Sequence, residues 1–362
     1  MTGLAVAVLA YGLLQSVVDA WYAGAASASG TRLVTRNAIS LTIFLPVSYE
    51  GRIRSVEGVS KVARSNWFGG IYQEPKNFFP QFAVSDNYLD LYSEFILAED
   101  ERVAWRRDRK GCLIGRQLAD QYGFKVGDVL PIRGTIYPGT WEFVVRGIFD
   151  GSDSTKVTRL MLFHWDYLNE TMRKTAPRRA DFVGIYIVGV DDLDNVAATA
   201  AQVDDVFRNS LAETLTESEQ AFQLGFVAMS DQIIAAIRIV SYVVILIIMA
   251  VMANTMAMSA RERTPEYATL KAFGFGPAFL AMLIFGESLL ICTLGGGIGM
   301  LLTPPAAGFF KQVAGIFPVF EVSTDTVVLQ LACGLVVAFA AAVVPAVQAA
   351  RVRIVEGLRA IA

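Results

Sequence analysis

The chain has 362 residues, 54% of them hydrophobic and 18% charged, with a mean hydropathy of +0.45, too apolar for an ordinary soluble domain and indicative of a membrane protein. A net charge of −3 and a pI near 5.4 provide no basic face to neutralise phosphates, so nucleic acid is set aside as a partner. One histidine and three cysteines, two of them inside apolar runs, support neither a disulfide framework nor a zinc ligand set, and no metal is expected.

In chain order, residues 2–18 are uncharged and end at Asp19, with Trp21 and Tyr22 placed as interfacial aromatics. Residues 1–24 read as a first transmembrane helix. A cleaved leader with "AGAASASG" at its cleavage site is the competing reading, but no Lys or Arg precedes the apolar run. A span starting this close to Met1 leaves room for a longer natural chain.

Residues 25–212 carry the charge of an ordinary protein surface and alternate strand and helix signals, giving an α+β domain long enough to bury its own core. "SYEGRIRSVEGVSKVARS" reads as a helix, a stop at Gly58 and a strand from Val59. "GCLIGRQLADQYGFKVGDVLPIRG" offers a strand, a helix ended by Gly123, a turn at Gly127-Asp128 and a second strand. "TWEFVVRGIFDG" alternates as a strand. "DFVGIYIVGVDDLDNVAATAAQVDDVFRNS" is β-rich and then helical, capped within 191–194, with Val196, Ala200, Val203 and Phe207 on one face. The aromatics of 71–92 suit core packing better than a partner surface, and His164 in "MLFHWDY" suits a packed or capped residue better than a ligand. Residues 213–238 stay helical in pattern, as a rigid stalk running into the next span.

Residues 239–260 hold 22 residues without a charge, about 33 Å as a helix and enough to cross the hydrocarbon core. Residues 277–303, apolar apart from Glu287, and the uncharged 326–350 give two more spans. The fold class is a multi-span α-helical membrane protein, four transmembrane helices in a 1 + 3 arrangement, with the large α+β domain inserted between spans one and two. The island at 261–276 carries Arg261, Arg263 and Lys271 and the tail at 351–362 carries Arg351, Arg353 and Arg359, whereas the connection at 304–325 has Lys311 alone. Basic residues in short loops stay inside, so island and tail are cytoplasmic and the inserted domain is extracytoplasmic.

Glu287 is the one ionisable residue well inside a span. Such a carboxylate is either functional or hydrogen-bonded to a neighbouring helix near the cytoplasmic boundary. Gly295, Gly296, Gly297 and Gly299 permit close helix approach, and Pro345 should kink the fourth span. No P-loop spacing occurs, "GSDSTK" included, and no G-x-S-x-G elbow. The Asp191-Asp192 pair reads as a helix start. The sequence therefore predicts no enzyme, no cofactor and no catalytic residue.

The island itself is patterned. Thr264 can cap a helix with Pro265 at its first position and Glu266 in its first turn, and Gly274 can end it. Such a helix presents Tyr267, Leu270 and Phe273, either to a protein or to lipid headgroups. "RERTPEYATLKAFGFGPAFLAMLIFGESLLICTLGGGIGM" resembles the signature stretch of MacB/FtsX-type ABC transporter permeases, the core falling on Arg261, Glu262, Arg263, Glu266, Leu270, Lys271, Ala272 and Gly274. "VVPAVQAARVRIVEGLRA" and "GRQLADQYGFKVGDVLPI" are similar to that family's terminus and to its extracytoplasmic domain. The resemblance implies a bacterial inner-membrane permease that dimerises with itself or a relative. Residues 261–276 would be the coupling helix gripped by a separate ATPase dimer that binds the ATP, work would be delivered outside by mechanotransmission, and a periplasmic adaptor or outer-envelope component could join. A cargo that is lipid-like, lipoprotein, peptide or drug is the expectation. The alternative is a non-transporting regulator of a cell-wall hydrolase, or a ligand sensor.

Overall fold

The computed structural model describes residues 2–26, 29–152, 158–228, 231–314 and 322–350. They divide into a membrane unit, residues 1–21 with 229–362, and an α+β unit, residues 22–228.

Helix α1 (Thr2–Ala26) precedes the α+β elements. These are β1 (Arg32–Asn37), β2 (Leu45–Pro46), α2 (Tyr49–Arg54), β3 (Val59–Trp67), β4 (Ile71–Tyr72), β5 (Gln81–Val84), α3 (Tyr88–Leu91), β6 (Phe95–Ile96), α4 (Glu99–Arg107), β7 (Gly111–Gly115) and α5 (Arg116–Tyr122). There follow β8 (Val129–Gly134), β9 (Gly139–Gly151), β10 (Met161–His164), α6 (Trp165–Thr175), β11 (Phe182–Val183), β12 (Ile185–Val190), α7 (Val196–Val206), β13 (Thr214–Ser218) and α8 (Glu219–Ala228). Among the described residues one mixed sheet runs in the order β13-β1-β12-β3-β5-β10-β7-β9-β8-β4, with β6 beside β9. The β5–β10 and β7–β9 pairs are parallel.

Both faces of this sheet are buried, and alternation along each strand assigns the residues. Leu33, Val62, Ala83, Phe163 and Val188 pack into one core with residues of α2, α5, α6 and α7. Their chain neighbours Val34, Ala63, Val84, Leu162 and Ile187 pack into the other with Tyr88, Tyr92 and Trp105, as a period of two requires. Gly123 (φ 72°) holds the left-handed conformation that ends α5, whereas α2 already ends at Arg54 with Ser55 as its C-cap and Gly58 (φ 84°) serves the turn into β3. Phe79, Tyr88 and Tyr92 of the 71–92 stretch are buried, while Phe78 is exposed. His164 is 5% exposed, stacks on Trp105 and meets Asp86 Oδ1 through Nδ1 (2.9 Å) and the Trp105 carbonyl through Nε2 (2.8 Å). Cys112 is fully buried, and burial pushes its thiol up.

One expected element is different. Residues 214–218, read as the first turns of a stalk, are β13, paired antiparallel to β1. Thr214 and Thr216 face inward onto Asp204, and Thr216 shares a hydroxyl contact with Thr35 at 2.9 Å. The Thr-Leu-Thr alternation of β-branched residues outweighs the helical periodicity that follows it. Helix begins only at Glu219, and residues 229–230 lie outside the described ones.

In the membrane unit, α1 is joined by α9 (Asp231–Glu262), α10 (Thr264–Ala272), α11 (Pro277–Ala314) and α12 (Thr324–Ala350). Thr2–Ala20, Asp231–Glu262 and Pro277–Phe310 are long and apolar enough to cross a membrane, and Thr324–Ala340 is a shorter apolar helix. The third of these helices does not stop at residue 303. It continues through Pro304 and Pro305 to Ala314, although two prolines remove two helical donors. The expected cytoplasmic tail, 351–362, and the side chain of Pro345 lie outside the described residues.

Candidate functional site

The charged island is a continuation of α9 with a bend rather than a loop. Arg263 N–H still donates to the Ser259 carbonyl (3.2 Å), and Tyr267 N–H donates to the Arg263 carbonyl (3.1 Å). Arg263, with φ −93° and ψ 14°, is therefore the N-cap of α10, and no side chain caps the helix. Thr264, expected there, is the first helical residue, and its hydroxyl points back to the Ala260 carbonyl at 3.4 Å. The sequence holds a cause: Pro265, at the second helical position, has no N–H for a capping side chain to satisfy. Pro265 and Glu266 occupy the first turn. The C-terminus is a Schellman closure, with Phe275 N–H on the Leu270 carbonyl (3.1 Å), Gly274 N–H on the Lys271 carbonyl (3.0 Å) and Gly274 at φ 94°.

The helix has an anchored side and an open side. Tyr267 (3% exposed) packs with Ala260, Leu280 and Ile284, joined by the half-buried Leu270 and Ala346. Burial raises its phenol pKa, with Glu287 adding to the effect. Glu266 and Phe273 lie on the open side, Phe273 with 79% of its surface exposed. Of the three apolar residues expected to face a partner, then, the structure gives Tyr267 to the anchor, leaves Leu270 at its edge and exposes Phe273. Arg261 and Glu262 are exposed in the last turn of α9.

Glu287 is brought to this turn. Arg263 Nη1 donates to both of its carboxylate oxygens at 3.0 Å, tying the start of α10 to α11. Glu287 borders a cavity of about 180 Å³ lined also by Thr255, Ser259, Tyr267 and Ser288. Sequence had marked both residues but not their pairing. Both side chains keep 40–45% exposure, so the pair fixes geometry more than it adds stability. Replacing Glu287 by Arg should release α10 and raise proteolytic cleavage at 261–275, and the exchanged pair Arg263→Glu/Glu287→Arg should restore protection. Equal cleavage in both variants would remove the pair from the site.

Of Gly296, Gly297 and Gly299, Gly299 makes the close approach. A Cβ on Gly299 would sit 2.6 Å from the Ala5 carbonyl of α1, whereas Gly296 and Gly297 have nothing within 4 Å. Gly295 is buried. Sequence reading missed the polar contacts that share this packing. Gln330 donates to the Val8 carbonyl (2.8 Å) and to Thr303 Oγ1 (2.9 Å), and a Cβ on Gly12 would clash with Gln330. Asp19 accepts from Ser323 and Thr326, both at 2.7 Å. The available signal was a single Gln in an apolar run, which needs a partner inside lipid.

These features define a membrane-embedded chain in which a short, anchored, amphipathic helix joins two long apolar ones, with an α+β domain inserted in the same chain. Residues 238–354 match the family model of the FtsX-like permease C-terminal domain. It is 33% identical over 105 residues to the macrolide export ATP-binding/permease protein MacB of Shewanella oneidensis. That match covers 29% of this chain and 16% of the relative's length. Solved structures similar to the chain include the extracellular domain of the noncanonic ABC-type transporter YknZ from Gram-positive bacteria (13% identity, 52% of this chain, all of that chain, TM-score 0.37). Another is the periplasmic region of MacB from Actinobacillus actinomycetemcomitans (9% identity, 54% of this chain, 92% of that chain, TM-score 0.38).

Proposed function

We propose that the chain is the permease subunit of an ABC transporter of the bacterial inner membrane, working with a separate ATPase dimer and a second permease, itself or a relative. In this reading α10 is the coupling helix. Closure of the ATPase dimer on bound ATP displaces α9–α11 and moves the α+β domain outside the membrane, so work is delivered beyond the bilayer. The span count is four, with α12 as the fourth, and the cargo is lipid-like, lipoprotein, peptide or drug. A periplasmic adaptor or outer-envelope component belongs to the same proposal. The single observation that carries the reading is the form of α10: closed by a Schellman turn, pinned by Tyr267 and Arg263–Glu287, and open at Glu266 and Phe273. A passive connection needs neither anchor. The FtsX-like match over 238–354 supports it, and the MacB relative's name supports a drug among the cargo classes.

The test is reconstitution of the chain in lipid vesicles with an ABC ATPase that co-purifies with it. Hydrolysis stimulated by an amphiphilic cargo and absent without the permease supports the proposal. Hydrolysis indifferent to every cargo class, together with capture of a cell-wall hydrolase by the α+β domain, would favour the regulator instead.

A further inference from the structure

A buried charge cluster in the α+β unit has no part in the site described above. Arg32, at the start of β1, is 6% exposed, and Glu219, the first residue of α8, is 5% exposed. Arg32 Nε donates to Glu219 Oε2 at 2.7 Å, while its two terminal nitrogens grip both oxygens of Glu94 at 2.9 and 2.5 Å. The guanidinium also donates to the Leu91 carbonyl (2.9 Å) and lies over the Tyr92 ring, 4.1 Å from its centroid. Glu219 accepts further bonds from Tyr92 Oη (2.9 Å) and from Ser29 N–H (3.2 Å). Every charge-bearing oxygen is occupied.

The placement in sequence gives the cluster its meaning. Ser29 and Arg32 belong to the stretch that leads from α1 into the sheet, and Glu219 opens the helix by which the chain leaves the sheet toward α9. Ser218 caps α8 by accepting from Ala221 N–H (3.1 Å). Beyond it most of α8 is exposed, with Leu224 and Phe226 40% and 48% open, while Phe222 packs against a core cluster and Val227 is buried. Glu219 is the buried charge by which its first turn is held to β1. Replacing a buried ion pair by apolar residues is often neutral for stability, so its presence points to fixed geometry, while removing one partner strands a charge.

We propose that Arg32 and Glu219 are positioning residues that bind the segments leading into and out of the α+β domain into one moving joint. Displacement of α8 would then reach β1 through the ion pair instead of being lost in a hinge at Ser218–Glu219. The use of this joint as part of a lever rests on the transporter reading, but its existence does not.

The experiment is hydrogen exchange by mass spectrometry on the full chain in lipid nanodiscs. In Glu219→Gln, amides of 220–227 and of 29–34 should exchange about tenfold faster or more, by one common factor, because they open as a unit. Amides of β3, β5, β7 and β10 should keep their protection. Unchanged exchange in α8, acceleration of α8 without 29–34, or an equal loss over the whole domain would each overturn the joint. Arg36→Gln, which breaks the neighbouring Arg36–Glu217 pair, should leave α8 protected. If Glu219→Gln does not fold, Arg32→Lys answers the same question, since an ammonium cannot hold both carboxylates in the same geometry, and the same local pattern is expected. No ATPase is needed, so this result is independent of the reconstitution test.

Discussion

If α10 is the coupling helix proposed above, changing Phe273 to Asp should weaken association with an ATPase subunit about a hundredfold and abolish co-purification, while leaving membrane insertion and α10 intact. Phe273 is the most exposed aromatic of residues 261–276 at 79%, and its role in the helix is the C-cap, supplied by backbone bonds. The fold therefore does not depend on its ring. Burying such a ring in a partner's groove is worth about 1.5–3 kcal/mol, and forcing a carboxylate into the same groove adds a desolvation penalty. About 2.7 kcal/mol corresponds to a hundredfold change in Kd. Glu266→Lys should weaken the same association by charge alone. Tyr267→Ala should behave differently, because it removes the anchor to Leu280 and Ile284 and loosens the helix itself. Equal stimulated hydrolysis in wild type and Phe273→Asp would show that this face meets lipid and not protein.

Gly299→Leu should disrupt the membrane unit more severely than any other single change in the glycine run. Its Cβ would lie 2.6 Å from the Ala5 carbonyl and 2.9 Å from the Val8 Cβ, and neither can yield without moving α1. Overpacking of this kind costs about 1–3 kcal/mol, occasionally more. A bundle whose helices associate through close backbone approach has little to offset it. The measurement is the thermal midpoint of the detergent-purified chain, with Gly297→Leu as the control, since nothing lies within 4 Å of Gly297. The expected order is a marked drop for Gly299→Leu and little change for Gly297→Leu. Similar drops would mean that the run matters for helix propensity and not for contact with α1.

How much of this was legible in the sequence depended on whether a signal was local. Long apolar runs marked the long apolar helices, and short apolar runs in "GCLIG" and "GIYIVGV" marked β7 and β12, because a strand buried on both faces reads as a continuous apolar stretch. Gly123 and Gly274 announced helix ends through the left-handed backbone they adopt, whereas Gly58 marks the turn into β3, four residues beyond the end of α2. The strand β13 was missed because five residues of β pattern adjoin a longer helical one. Pairings over long separations left no local trace. Arg263 and Glu287 stood out separately, but nothing in the sequence joined them. Gln330 with Val8, and Arg32 with Glu219, meet only because the fold folds back on itself. The island was recognisable as an amphipathic helix, yet which side it would bury depended on Leu280 and Ile284 in the next helix.

The most direct measurement is a photo-crosslinking side chain placed at Phe273 of the full chain in native membranes, with the adduct identified by mass spectrometry. If α10 is a coupling helix, the adduct contains the nucleotide-binding subunit of an ABC transporter, and adding ATP alters its yield. An adduct composed of lipid alone, unaffected by ATP, would contradict the coupling role of α10.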